Sequence, residues 1–433
     1  MTGSIGIRRE DKSEWERRAP FTPEHAKELL DSGIEIFVQP AKHRVFAESA
    51  YEAFGAKVSE DLSNCAVVFG IKEMPPACFR EDGTYVFFSH TIKGQQYNMA
   101  MLKQMMELRC NLVDYERVID EAGRRLIFFG REAGIAGMVE TLYALGHRLA
   151  AEGVSSPFTA IRRPFEYATI SELKAAFEVL GHWVAAGGLP PEITPLVFGF
   201  AGYGNVSEGA QEILDLLGST QVEPGELADV TGRADVERNT VFKVVFKEED
   251  LVAPVSPDTV FQLQDYYDNP ERYQGRFEEY LPHLSVLMNC IYWDERYPRL
   301  VTRQYLKEHW RGDRLKVIGD ISCDVEGSVE ATLRPTEPDE PCYVYEPATG
   351  MTRSGVEGTG PVIMAVDILP SELALDSSRS FSTVLREFAP AIAKADFSAS
   401  YAELDLPKAV KKALILHHGQ LTPEYQYMSD FIN

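Results

Sequence analysis

The sequence predicts an α/β protein made of two doubly wound parallel-sheet domains with a cleft between them. Three observations carry that expectation. A chain of 433 residues is too long for one ordinary core, so two or three domains are expected. Its first part alternates short apolar runs with amphipathic segments, as strands joined by helical crossovers do. Leu196 to Leu217 reads as strand, glycine turn and helix in immediate succession.

Taken in order, Ser4 to Arg8 reads as the first strand. Thr22 is placed as an N-cap with Pro23 at the first helical position, and that helix stops at Gly33. Strand Ile34 to Val38 follows, then a helix around Ser49 to Phe54, then strands Ala66 to Gly70 and Tyr85 to Ser89. Helix Asn98 to Leu108 carries Met101, Leu102, Met105 and Met106 on one face, which suits a core. Cys110 to Val113 and Arg125 to Phe129 read as further strands, and a long helix runs from about Ala133 to Ala151. A second amphipathic helix, about Ile170 to Ala186, leads to the glycine turn. The 226–275 region is read as an insertion containing a short β-like run, Val241 to Phe246, and an aromatic, charged stretch, Asp265 to Tyr273, suited to folding over a cleft. Leu284 to Tyr292 and Leu315 to Ile321 are expected as later strands.

The glycine turn has the chemistry of a dinucleotide site. Gly202 permits a tight turn, and Gly204 lets the backbone approach a pyrophosphate. The N–H groups of the following helix, beginning at Asn205 and Val206, then face that anion with the positive end of the helix dipole. This is the Rossmann arrangement, with one departure: the third fingerprint position is Ser207, and the next glycine is Gly209. Glu223, roughly twenty residues on, suits a ribose 2′-hydroxyl and hence NAD(H), whereas Arg233 and Arg238 suit the 2′-phosphate of NADP(H).

A net charge of −23 argues against nucleic acid and anionic membranes as partners. No signal-like or membrane-spanning apolar run is present, so a cytoplasmic protein is expected. The six cysteines are scattered without a Cys-x-x-Cys, which indicates buried thiols and no metal site. If the substrates are carboxylates, a local cationic cluster must attract them against the field of the whole molecule.

Ligands in open α/β sheets bind beyond the carboxyl ends of the strands. There the first part places Arg8 and Arg9, the run Glu14 to Pro20 with Arg17 and Arg18, then Lys72, His90 with Lys93, and Asp114 with Glu116. A lysine, a histidine, a glutamate and several arginines thus converge on one sheet edge. Burial and neighbouring charge can tune such groups for proton transfer around an imine.

The run Arg8-Arg-Glu-Asp-Lys-Ser-Glu-Trp-Glu-Arg-Arg-Ala-Pro20 resembles the start of the lysine–ketoglutarate reductase region of bifunctional aminoadipate-semialdehyde synthases. Phe87 to Lys93, Gly202 to Ala210, Asn269 to Tyr273, Pro298 to Arg303, Asp320 to Ser322 and Gly327-Ser328 extend the likeness along nearly the whole chain. The sequence is more distantly similar to lysine-forming saccharopine dehydrogenases and to alanine dehydrogenase. The resemblance implies reductive condensation of L-lysine with 2-oxoglutarate to saccharopine using NAD(P)H, or the reverse. Carried over by motif, Lys72 and His90 are the acid–base pair and Glu116 tunes the lysine. By the same resemblance, Arg18, Lys93 and Arg125 match cations that hold substrate carboxylates, Gly202, Gly204, Asn205 and Val206 would lie under the pyrophosphate, and Asp324 matches an acid near the cofactor. The resemblance places NADP(H) ahead of NAD(H).

Bifunctional relatives continue into a saccharopine-oxidising unit that this sequence lacks, which implies a partner enzyme or another pathway. The expected substrate-binding domain is 1–139 completed by 332–433, with the dinucleotide-binding domain, 140–331, between them. A homo-oligomer is compatible with this plan. Two alternatives stay open on sequence grounds: another amino-acid or opine-type dehydrogenase on the same fold, and a nucleotide-binding regulator without turnover.

Overall fold

The computed structural model describes residues 3–233, 235–312 and 314–432. In chain order the strands are β1 (Ser4–Ile7), β2 (Glu35–Val38), β3 (Lys57–Val58), β4 (Val67–Phe69), β5 (Thr84–Phe87), β6 (Asn111–Asp114), β7 (Leu196–Ala201), β8 (Ser219–Gln221), β9 (Val241–Phe246), β10 (Val252–Pro254), β11 (Tyr273–Gly275), β12 (Val286–Asn289), β13 (Val317–Asp320), β14 (Cys342–Glu346), β15 (Met351–Ser354), β16 (Val362–Met364), β17 (Leu414–His417) and β18 (Gln420–Leu421). The chain divides into two compact units, Met1–Phe129 with Ala374–Asn433, and Gly130–Leu373.

The first unit holds an eight-stranded sheet in the order β18-β17-β6-β5-β4-β1-β2-β3. β1 to β6 are parallel; β17 runs antiparallel to β6, and β18 to β17. The chain leaves β1 toward β2 and β3, then returns to the other side of β1 as β4. The switch point is therefore between β1 and β4, where an open α/β sheet parts to admit a ligand. Helix α1 (Pro23–Asp31) starts as its sequence specifies: the Thr22 hydroxyl accepts the His25 N–H at 3.2 Å, and Pro23 opens the helix. The helix Ala374–Lys394 seats the segment before α1, because Ser378 Oγ accepts the Ala19 N–H and Ser382 Oγ accepts the Thr22 N–H.

The second unit holds an eight-stranded sheet in the order β15-β14-β16-β13-β12-β7-β9-β8. β8, β9, β7, β12, β13 and β16 are parallel, while β14 and β15 close one edge antiparallel. Val197, Val244, Leu287, Ile318 and Ile363 build a core from five neighbouring strands.

Three readings change. Arg125 to Phe129 forms no strand; only an isolated bridge joins Arg125 to Ile119. Val241 to Phe246 does not belong to an insertion. It is strand β9, lying between edge strand β8 and β7 and paired along its length with β7; Lys243, whose ammonium bonds Asp215, interrupts its apolar run. The unit boundaries fall at Phe129/Gly130 and Leu373/Ala374, not at 139/140 and 331/332. The whole helix Gly130–Ala151 packs in the second unit, where Gly134 and Gly209 let it lie against the helix after β7. β14 to β16 extend the second sheet, so residues 332–373 stay there too.

Candidate active site

The parallel strands of the first unit bring their carboxyl ends to one edge. β1 runs into Arg8, Arg9 and Glu10, β4 into Lys72 and Glu73, β5 into Ser89 and His90, and β6 into Asp114 and Glu116. His90 sits at φ +48, a left-handed backbone conformation. His90 Nδ1 lies 2.6 Å from one Glu73 oxygen, and Lys12 Nζ lies 2.9 Å from the other. A carboxylate only accepts, so Nδ1 carries the proton and Nε2 is left for exchange. Burial opposes the Glu73 charge, but the His90 hydrogen bond and charge, with Lys12, hold its carboxyl well below the usual range. Asn98 ties this group to the sheet edge, its amide donating to Glu73 and to the Ser89 carbonyl.

Lys72 is half-buried, and its charge helps keep the buried Glu16 ionised. Burial raises the Glu16 carboxyl, but the Arg18 guanidinium, hydrogen-bonded through Nε at 2.8 Å and Nη2 at 2.5 Å, outweighs it. Arg18 is itself buried, 4.2 Å above the Phe129 ring. Glu116 and Arg125 form an ion pair with each other. Lys93 is exposed on the turn after His90. The structure thus gathers Arg18, Lys72, His90, Lys93, Glu116 and Arg125 in one unit, and adds Glu10, Lys12 and Glu73, which sequence reasoning passed over. Glu73 had a signal: it directly follows Lys72 at a strand end.

In the second unit β7 runs through Gly202 into the helix Asn205–Leu214. Gly202 has φ +94, and its N–H donates to the Phe246 carbonyl at the end of β9. Gly204 is the N-cap; it offers no side chain to the helix, and a Cβ there would meet nothing within 4 Å. Asn205 and Val206 form the first turn. The open cap, the left-handed glycine and the helix N-terminus fit a pyrophosphate. Ser207 is buried and hydrogen-bonded by Gln211, so it does not supply the close approach of a third glycine. That approach falls to Gly209 and Gly134. A Cβ on Gly209 would lie 2.2 Å from the Arg131 carbonyl oxygen, and one on Gly134 would lie 2.0 Å from that of Val206.

A cavity of about 410 Å³ opens at this turn, lined by Gly202, Tyr203, Gly204, Glu248, Tyr267 and Tyr292, among others. The Glu248 carboxylate accepts the hydroxyls of Tyr203 and Tyr267 at 3.2 and 2.6 Å. Counting twenty residues from the turn leads to Glu223, but the chain makes an excursion through edge strand β8 before reaching β9, the neighbour of β7. Glu223 follows β8, exposed and roughly 10 Å, two strand spacings, from the turn strand. The residues that follow β9 beside the turn are Lys247 and Glu248. Arg238 donates to the Leu189 carbonyl at the amino end of β7, and Arg233 follows Thr231, which bonds His283 ahead of β12. Both arginines are at the opposite edge of the sheet from the turn. Asp324 is exposed on the loop after β13, on the carboxyl edge, two strands from β7 on the other side.

All six cysteines are free thiols, and among the described residues no cluster suited to a metal ion is present. No described helix is long and apolar enough to cross a membrane.

Comparison with known proteins gives a consistent result. Residues 6–136 match the family description "Alanine dehydrogenase/PNT, N-terminal domain", and residues 271–424 match its C-terminal domain. An alpha-aminoadipic semialdehyde synthase of Arabidopsis thaliana is 38% identical over 98% of this chain, which spans 41% of that relative. The chain therefore covers less than half of that longer protein. A saccharopine dehydrogenase [NAD(+), L-lysine-forming] of Emericella nidulans is 26% identical, covering 89% of this chain and 90% of its own. Among solved structures, an L-alanine dehydrogenase superposes with a TM-score of 0.64 at 18% identity, covering 99% of this chain and all of the other. The resemblance read from the sequence motifs and the two-sheet α/β fold are both borne out.

Proposed function

Because the chain belongs to the alanine dehydrogenase/PNT family and aligns over 98% of its own length with part of an aminoadipic semialdehyde synthase, we propose that it is an oxidoreductase of lysine metabolism. The reaction is the reductive condensation of L-lysine with 2-oxoglutarate to saccharopine, or its reverse. The observation that carries this reading is the strand-end turn Lys72-Glu73. One residue supplies an amine among carboxylates, and the next orients the His90 ring at 2.6 Å.

The chemistry asks for what these residues offer. Lysine's side-chain ammonium must lose a proton before its nitrogen can attack the keto carbon, and the resulting carbinolamine must be protonated to lose water. Lys72 and His90 exchange those protons. Glu73 keeps the histidine proton on Nδ1, and Glu16 and Glu116 supply the negative charge that stabilises a cationic Lys72. Arg18, Lys93 and Arg125 are the cations assigned to the substrate carboxylates, the two arginines meeting them from their pairs with Glu16 and Glu116. The same cations offset the overall charge of −23 that repels such substrates.

The dinucleotide is held by Gly202, Gly204, Asn205 and Val206 at its pyrophosphate; when bound and reduced, it supplies the hydride. NADP(H) is placed ahead of NAD(H). Lys247, at the end of β9 beside the turn, is the cation suited to a 2′-phosphate, a role that the positions of Arg233 and Arg238 do not support. Glu248 is engaged by two tyrosine hydroxyls, and Glu223 and Asp324 stay outside this assignment.

Mass analysis of the product formed from lysine, 2-oxoglutarate and NADPH tests the reading. Saccharopine is expected. A product that forms only when another amine or keto acid replaces these substrates would overturn the substrate assignment.

A further inference from the structure

Glu10 stands at the centre of the sheet edge without a role in the sequence reading. One of its carboxylate oxygens accepts the Ile71 N–H at 2.7 Å, and the other accepts the Lys72 N–H at 3.0 Å. These are consecutive amides of the turn leaving β4. A carboxylate spanning two such donors fixes the turn more firmly than any single contact, and each bond is charge-assisted. Glu10 lies on the loop that also carries Arg8, Lys12, Glu16 and Arg18, and β1 and β4 flank the switch point of the sheet. It thus pins together the two loops that supply Lys12, Glu16, Lys72 and Glu73.

We infer that Glu10 is a positioning residue for Lys72: its ionised carboxylate holds the 70–73 turn, and loss of that charge releases the turn and lowers turnover. The inference rests on the functional reading of Lys72 given above. The groups that act on Glu10 are Arg8 and Glu16 on its own loop, Arg44 beyond β2, Tyr115 beyond β6, and the Lys72 turn itself. Burial and then the Glu16 charge raise its carboxyl, while Arg8 and the two amides draw it down, leaving it at about 7. The carboxylate therefore changes charge near neutral pH. Once protonated, it has one oxygen fewer to accept an amide.

Two experiments test this. In the wild-type protein, the backbone amide resonances of Ile71 and Lys72 are followed by NMR from acid to alkaline pH. They should move together with a midpoint near the value of the Glu10 carboxyl, about 7. Amides that do not titrate in that range would overturn the inference whatever the activity. In Glu10→Gln, kcat should fall roughly ten- to a hundredfold, the cost of a charge-assisted hydrogen bond. The KM for the dinucleotide should stay unchanged, and the acid limb of the pH–rate profile should be displaced. Glu10→Asp, which keeps the charge, should recover part of both. Wild-type kcat and an unmoved acid limb in Glu10→Gln would overturn the inference. Absence of lysine- and keto-acid-dependent turnover in the wild type would count against the functional reading alone, and the amide titration would still decide the role of Glu10.

Discussion

His90 Nδ1 lies 2.6 Å from the Glu73 carboxylate, whose second oxygen receives Lys12. Glu73→Gln keeps the shape and removes the charge that fixes the histidine tautomer. The variant should lose about tenfold to a hundredfold in kcat, as orienting partners of functional histidines typically do. Dinucleotide affinity should not change, because the glycine turn is in the other unit. Steady-state kinetics together with direct dinucleotide titration checks both halves.

The same carboxylate sets a pH limit. Its folded-state value is depressed, so its contribution to stability is present above the ordinary carboxylate range and is lost progressively as pH falls from that range toward the depressed folded value. Acid unfolding of the wild type should therefore begin at a higher pH than that of Glu73→Gln, relative to each protein's melting temperature at neutral pH. Melting temperatures from pH 7 down to pH 3 test this.

The glycines divide into two kinds. A Cβ at Gly134 would meet the Val206 carbonyl oxygen at 2.0 Å, with no flexible side chain to yield. Gly134→Ala should cost about 1–3 kcal/mol and lower the melting temperature. Gly204 has open space where a Cβ would go, so Gly204→Ala should melt as the wild type does. Its methyl group nevertheless occupies the approach of the pyrophosphate, and the dinucleotide Kd should rise about tenfold. A thermal melt and a binding titration on each variant separate packing from binding.

Cofactor choice should follow the end of β9. Lys247→Ala should raise the KM for NADPH about tenfold and leave that for NADH nearly unchanged. Arg238→Ala, at the opposite edge, should leave the NADPH/NADH ratio as it is. Kinetics with both cofactors on both variants reads this directly.

Glu372 and Glu140 are buried side by side, and Arg163 binds Glu140 through Nε at 2.7 and 2.8 Å. No hydrogen-bond donor among the described residues reaches either oxygen of Glu372. Burial, and then the neighbouring Glu140 charge, push its carboxyl well above the ordinary range. A raised carboxyl favours the folded state while it is protonated, and that advantage is lost as pH climbs from the unfolded value through the folded one. Glu372→Gln mimics the protonated form. Its melting temperature relative to the wild type should therefore rise between pH 5 and pH 8.

Much of this architecture is legible in the sequence because its signals are local. Thr22-Pro23 opens a helix, and the apolar run into Gly202 is a buried strand followed by a tight turn. The position of β9 is different. Nothing within Val241 to Phe246 says that it displaces β8 as the neighbour of β7; that is decided by pairing across the sheet. The search for an acid twenty residues along the chain consequently led to Glu223, while the fold puts Lys247 and Glu248 beside the turn. The glycine pair has the same origin. Ser207 looked like a defect in the motif until Gly134, on a helix far away in sequence, took up the close approach together with Gly209. At the proposed catalytic edge, the strand-end rule found Lys72 and His90. Glu10 and Glu73 acquire meaning only from the amides and the ring that they hold.

The central claim is tested most directly by absorbance of the reduced nicotinamide, with the protein, lysine and 2-oxoglutarate together and with each substrate omitted in turn. The account predicts NADPH oxidation that requires both substrates, slower oxidation of NADH, and strongly reduced rates in Lys72→Met and His90→Gln proteins that fold normally. Oxidation that proceeds without lysine, or rates unchanged in both variants, would contradict it.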